Sequence, residues 1–139
     1  MLYVRVAFRD GTSEVSVNNQ SFSMLAGAAD FAENASATQI HERLSPKDGE
    51  VLITKRRVSA LAGGGLDVVL RSMGVNTLIL CAIATGGVVL STVRQAADLD
   101  FKIIVLADVC ADTDHEVHRM LIEKAFPRQA TVLGCDKWT

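Results

Sequence analysis

A lysine, a glycine turn and a cluster of acids and histidines are the residues of this 139-residue chain whose types and spacing could do chemistry. Lys55 closes the stretch Glu50 to Lys55 and is followed by Arg56 and Arg57. At a strand's carboxyl end a lysine can orient a substrate or hold a depressed pKa. The plainer reading is a lysine reaching solvent from a strand end. Thr85-Gly86-Gly87 follows the apolar run Leu78 to Ile83 and precedes apolar residues at Val89, Val93, Ala96 and Ala97, a helical spacing. Strand, tight turn and helix in that order offer free backbone N–H groups that suit an anion or a developing oxyanion. The N–H groups of Gly87 and Val88 are the donors of such an oxyanion hole; the alternative is an ordinary tight βα turn. A nucleophile is often mounted at the first helical position of such a turn. Here that position is Val88, which has no reactive atom. The sequence offers the geometry of a catalytic turn without its chemistry.

Asp112, Asp114, His115 and His118 invite a metal reading. Acids just before a helix are better explained by the helix dipole. The two histidines stand at i, i+3 rather than the i, i+4 of a helical zinc site. No metal and no cofactor is expected. His41 stands alone beside Ile40 and reads as a partly exposed packing residue. The three cysteines, Cys81, Cys110 and Cys135, read as small hydrophobes, with Cys135 near the tail the one placed to be a reactive surface thiol. Trp138 is expected to pack onto the body or into a partner subunit.

The elements that must position these residues follow from pattern. Tyr3 to Phe8 is a strand ended by Arg9-Asp10-Gly11. Gly11 to Asn34 reads mostly as loop, with a short helix around Ala26 to Phe31. Thr38 to Leu44 reads as one or two helical turns, with Ile40 and Leu44 on one side. Pro46-Lys47-Asp48-Gly49 turns the chain into a strand over Glu50 to Lys55. Leu66, Val69, Leu70 and Met73 form one face of a helix stopped by Gly74. The unbroken run Leu78 to Ile83 reads as a strand buried on both faces. The helix after it runs to about Leu99, and Phe101 to Ala107 is another buried strand. Thr113 with Glu116 fits a capping box, opening a helix that Pro127 stops. Ala130 to Leu133 is a last strand. This β-α alternation from Glu50 onward predicts a parallel sheet.

Composition bounds the rest. A chain of this length is read as one domain, residues 1–139. Hydrophobic residues make up 49% and aromatics only 5%, so the core is aliphatic. Fourteen basic and sixteen acidic residues leave a net charge of −2 with no basic stripe, which argues against a nucleic-acid partner. No apolar run reaches the ~18 residues of a membrane span. The amino terminus has no signal-peptide pattern, and the odd cysteine count points to a reducing compartment, so a cytoplasmic protein is expected.

In this order the motifs resemble the isochorismatase-like cysteine hydrolases over Tyr3 to about Leu133. Val51-Leu52-Ile53-Thr54-Lys55 is similar to the family's strand ending in a catalytic lysine. Gly74-Val75-Asn76-Thr77-Leu78 is similar to the lead into its central strand. Ile83-Ala84-Thr85 matches the segment where the family holds a non-proline cis peptide, here between Ile83 and Ala84. Asp108-Val109-Cys110-Ala111 resembles its Asp-Ala motif. The resemblance implies a three-layer α/β/α fold with a mostly parallel sheet and hydrolysis of a small amide or enol ether. It also implies that the family's nucleophilic cysteine corresponds to Val88. In the family an acid-bearing strand and a long helix precede the strand matched by Tyr3 to Phe8, so the fold expected here lacks its first strand and helix.

Of the family's acid, lysine and cysteine only Lys55 is then present. The leading expectation is a catalytically degenerate protein that retains a small-molecule pocket. The alternatives are an active hydrolase using Lys55 and water, and a structural or regulatory subunit. The absent strand would be central, so Tyr3 to Phe8 either pairs directly with Leu78 to Ile83 or leaves a slot filled by another chain. Uncovered apolar surface then predicts a homo-oligomer.

Overall fold

The computed structural model describes residues 1–26 and 29–138, and it divides into two compact units. The first comprises Met1–Arg57 and Ala62–Gly65; the second comprises Val58–Leu61 and Leu66–Thr139.

The first unit is built on two parallel strands, β1 (Leu2–Val6) and β2 (Val51–Lys55), paired from Leu2 with Val51 to Val6 with Lys55. Beyond β1 the chain stays extended, and Phe8 bridges to Ala32. Helix α1 (Gln20–Ala26) starts where the Asn19 side chain accepts the Phe22 N–H at 3.1 Å, a side-chain cap on a free donor. The expected helix around Ala26 to Phe31 is therefore displaced toward the amino terminus. A 3-10 turn over Ala29–Phe31 closes that stretch, and residues 27 and 28 lie outside the described residues. Phe22 meets Phe8 edge to face, with ring centroids 5.4 Å apart, and both rings are buried.

Thr38 to Leu44 is not one helix but two separate 3-10 turns, Ser36–Thr38 and Glu42–Leu44. The buried Thr38 hydroxyl is within hydrogen-bond distance of the Ala35 and Ala32 carbonyls, at 2.8 and 2.9 Å, and Gln39 is extended. A threonine that bonds local backbone in this way competes with helix continuation. Leu44, expected on a packed side, is 64% exposed. His41 is exposed and caps the second turn, its Nδ1 accepting the Arg43 N–H.

In the second unit β3 (Thr77–Leu80), β4 (Lys102–Leu106) and β5 (Thr131–Leu133) form a parallel sheet in that order. Helix α2 (Leu66–Ser72) precedes β3 and ends as expected at Gly74, whose φ of +64° suits a residue without Cβ. Helix α3 (Leu90–Asp98) joins β3 to β4 and buries Thr92, Val93 and Ala96. The Thr92 hydroxyl accepts the Ala60 N–H at 3.0 Å, tying the 58–61 segment into this unit.

Helix α4 (His115–Met120) leads through a wider turn, Leu121–Ala125, to a 3-10 turn over Phe126–Arg128 and then β5. Its cap is Asp114, not Thr113: the Asp114 carboxylate accepts the N–H groups of Glu116 and Val117. A carboxylate reaches those donors with a charge that favours the helix start, and Thr113 turns to Asp112 instead.

Two further expectations are corrected here. The run Leu78 to Ile83 is not buried on both faces: Leu78 is buried, but Ile79 is 39% and Ile83 78% exposed. Its ladder with β4 ends at Leu80, so Cys81 lies just past the strand and is exposed. Of the two alternatives for the strand near the amino terminus, direct pairing with this run is not found: β1 pairs with β2 and β3 with β4, in separate sheets.

Candidate functional site

Lys55 belongs to the first unit. As the last residue of β2 it is held by the ladder to Val6, and it is only 6% exposed. Its Nζ donates to the Arg57 carbonyl at 2.7 Å and lies 5.9 Å from the centre of the Phe22 ring. Burial disfavours the ammonium form and lowers the pKa from 10.5 to about 8. A lysine reaching solvent is therefore not what the structure contains. Gly64 passes close against the backbone of β2: a Cβ there would lie 2.9 Å from Ile53 Cγ2 and 3.2 Å from Lys55 Cα, so only a glycine lets the chain return this close.

The two arginines after Lys55 anchor surrounding loops. Arg56 pairs with Glu14 at 3.0 Å and Glu33 at 2.5 Å, and Arg57 Nη1 donates to the Glu14 carbonyl at 2.9 Å. Glu14 also accepts the Arg9 N–H, which is the main reason its carboxyl titrates below the usual range. Glu14 and Glu33 were not legible as site residues, because only folding brings them to Arg56.

The glycine turn belongs to the second unit. Ile83-Ala84 is a cis peptide, as the resemblance implies. Thr85 to Val89 forms one wide helical turn that runs directly into α3. Thr85 has no exposed surface; its N–H donates to the Ala111 carbonyl at 2.9 Å and its hydroxyl lies 2.8 Å from His118 Nδ1. The Gly86 N–H donates to Asp112 at 2.6 Å. That bond is the largest reason the Asp112 carboxyl titrates below the usual range. The Gly87 N–H donates to the Ala84 carbonyl at 3.1 Å. Three successive N–H groups are thus taken by partners within the chain, Gly87 among them. Val88 is half-buried in the middle of the turn, and its side chain is carbon alone.

Asp112 and His118 have a role here that their spacing did not reveal. They clamp the turn from the α4 side, and a Cβ on Gly86 would stand 3.1 Å from both Asp112 Oδ2 and Val117 Cγ1. Among the described residues no three His, Cys, Asp or Glu side chains are placed to hold a metal ion. Cys110 is buried, and burial raises its pKa. Cys135 is exposed, but its hydrogen bond to Asp108 raises its pKa too, which works against a reactive thiolate.

The model of the isochorismatase domain matches residues 1–137. The chain belongs to the isochorismatase family. The isochorismatase family protein YwoC of Bacillus subtilis is 32% identical over 129 residues, covering 91% of this chain and 65% of YwoC. The N-carbamoylsarcosine amidase of an Arthrobacter species is 38% identical over 74 residues, 53% of this chain and 28% of the amidase. A cysteine hydrolase structure from Pseudomonas syringae pv. phaseolicola superposes with a TM-score of 0.89 at 22% identity, covering 99% of this chain and 68% of that one. The fold is that of the isochorismatase-like hydrolases, and this chain spans about two thirds of the length of YwoC. No helix among the described residues is long and apolar enough to cross a membrane.

Proposed function

We propose that this isochorismatase-family chain binds a small molecule without turning it over. The observation that carries the reading is the turn from Thr85 to Val89. Amide hydrolysis by a covalent route needs a nucleophile and donors aimed at the developing oxyanion. Val88 supplies no nucleophile, and of the two N–H groups expected to hold an oxyanion, that of Gly87 already has an acceptor in the chain, the Ala84 carbonyl. The names of the relatives, an amidase in one case and a ureidoacrylate amidohydrolase in another, support a small carboxamide or ureide as the ligand class, with an enol ether from the family's own name.

A second reading has one observation in its favour. With its pKa near 8, Lys55 is partly neutral in mildly alkaline solution and could serve a water as base. One experiment separates the two: the chain is incubated with carboxamides, ureides and isochorismate, with product release and ligand-induced thermal shift both followed. A saturable shift without product supports binding alone. Product formation that is lost in Lys55→Ala establishes the second reading and overturns the first. Neither shift nor product overturns both.

A further inference from the structure

Between β1 and the 3-10 turn at Ala29–Phe31 the chain carries the Phe22 ring to Lys55, and few contacts hold it there. The backbone hydrogen bonds of this stretch outside α1 are local: the Thr12 N–H donates to the Arg9 carbonyl, Val15 to Thr12, Asn19 to Ser16 and Ser23 to Asn19. Among the described residues, two positions in the stretch fasten it elsewhere. Glu14 accepts the Arg9 N–H at 2.9 Å, lies 3.0 Å from Arg56 Nε, and through its carbonyl accepts Arg57 Nη1 at 2.9 Å. Phe22, buried on α1, sets its ring edge to face on Phe8 and 5.9 Å from Lys55 Nζ. A segment with so few long-range attachments opens at low cost while the strands beneath it stay paired.

The closed arrangement is disfavoured at its hinge and at its latch. Thr12 has a φ of +47°, a left-handed conformation that a β-branched residue rarely adopts, directly after Gly11 at +80°. At the latch, Arg56 Nε and Nη1 are buried with no hydrogen-bond partner among the described residues; Nε lies near Glu14 without the alignment of a bond. Guanidinium nitrogens buried in this way cost free energy that opening returns. Release of Glu14 does not strand the cation. Arg56 Nη2 keeps Glu33 at 2.5 Å, and Glu33 is tied by its own N–H to the Phe8 carbonyl at 3.0 Å. An Arg56 left wholly unpaired would instead oppose opening.

We propose that residues 10–26 are a lid over Lys55, hinged at Gly11 and Thr12 and latched by Glu14 on Arg56 and Arg57. With the Phe22 ring in place Lys55 is 6% exposed, so a ligand meets its Nζ only after the ring has moved. The tie to a ligand rests on the small-molecule reading above, whereas the lid itself is tested with no ligand present.

Trinitrobenzenesulfonate labels neutral amines, and Lys47, Lys102, Lys124 and Lys137 are exposed references in the same chain. At pH 8 the lowered pKa of Lys55 would by itself make it the fastest lysine, so slow labelling reports its cover. Peptide mapping should find Lys55 at least about 10-fold slower than the four references in the wild type. Glu14→Ala should speed it about 10-fold, as loss of a charge-assisted hydrogen bond does, and Phe22→Ala should speed it with the latch intact. Hydrogen exchange should show α1 losing protection in Glu14→Ala while β2 keeps its own. Circular dichroism checks that the variants fold, and the wild type gives a test without them: labelling through a lid changes little with urea below the unfolding transition. Wild-type Lys55 labelled as fast as Lys47 overturns the lid, as does a folded Glu14→Ala with unchanged labelling. Protection lost from β2 together with α1, or wild-type labelling that follows global unfolding in urea, overturns it too. Failure of the carboxamide and ureide panel to bind bears on the small-molecule reading alone.

Discussion

Lys55 carries the largest electrostatic consequence of a single residue in this chain. In the folded state its pKa is about 8 against the ordinary 10.5, so between those values the unfolded chain binds more protons. Stability must then rise with pH across that window; below it, the cost of burying the ammonium is present in full. The rise is on the order of 3 kcal/mol. Urea titrations at pH 8 and 10.5 should show it, and Lys55→Met should flatten it. A wild-type curve that is level across the window would mean the ammonium is well solvated. Val88 poses the complementary test. A thiol introduced by Val88→Cys stands at the start of a helix, where the dipole favours thiolate. It should react with iodoacetamide yet give no substantial amidase activity, because the Gly86 and Gly87 N–H groups of the turn already have acceptors within the chain. Efficient turnover by that variant would show that another group moves the proton.

At the scale of elements, the wide turn at Thr85 to Val89 is fastened by Asp112 and by His118 of α4 as well as by its own bonds to the Ala84 carbonyl. Thr85→Val keeps the shape but leaves His118 Nδ1 without its partner at 2.8 Å, and should destabilise by about 1–2 kcal/mol. Asp112→Ala removes the acceptor of the Gly86 N–H and should cost about 1–3 kcal/mol. The two effects should couple, since both bonds fasten one turn to one segment. A double-mutant cycle by chemical denaturation measures this; strict additivity would show that the two bonds act separately.

Across the whole molecule, protection should follow the sheets. β4 has a strand on each side, and its Ile103 and Val105 are buried, so its amides should be the slowest to exchange. The β1–β2 pair, a two-stranded ladder, should exchange faster. Hydrogen exchange with residue resolution reads this ranking, and slower exchange in β1 than in β4 would contradict it.

Much of this was legible in the chain itself. The strands at Val51–Lys55, Lys102–Leu106 and Thr131–Leu133, and the helices at Leu66–Ser72 and Leu90–Asp98, follow from local apolar periodicity. The parallel pairing of β3, β4 and β5 follows from strand–helix alternation, whereas Val51–Lys55 pairs with β1 in a separate sheet, which alternation from Glu50 onward does not give; the absence of a reactive atom at Val88 needs no structure at all. Tertiary structure decided what periodicity does not encode. Whether Lys55 is wet or buried depends on the Phe22 ring and the Arg57 carbonyl coming to its Nζ, and how far Ile79 is covered depends on what packs against that face. Asp112 looked like a helix-start residue because capping is local, and His118 like half of a histidine pair at the wrong spacing for zinc. Their bonds to Gly86 and Thr85 span 26 and 33 residues of sequence, and a distance of that kind is set only when the strands between them pair.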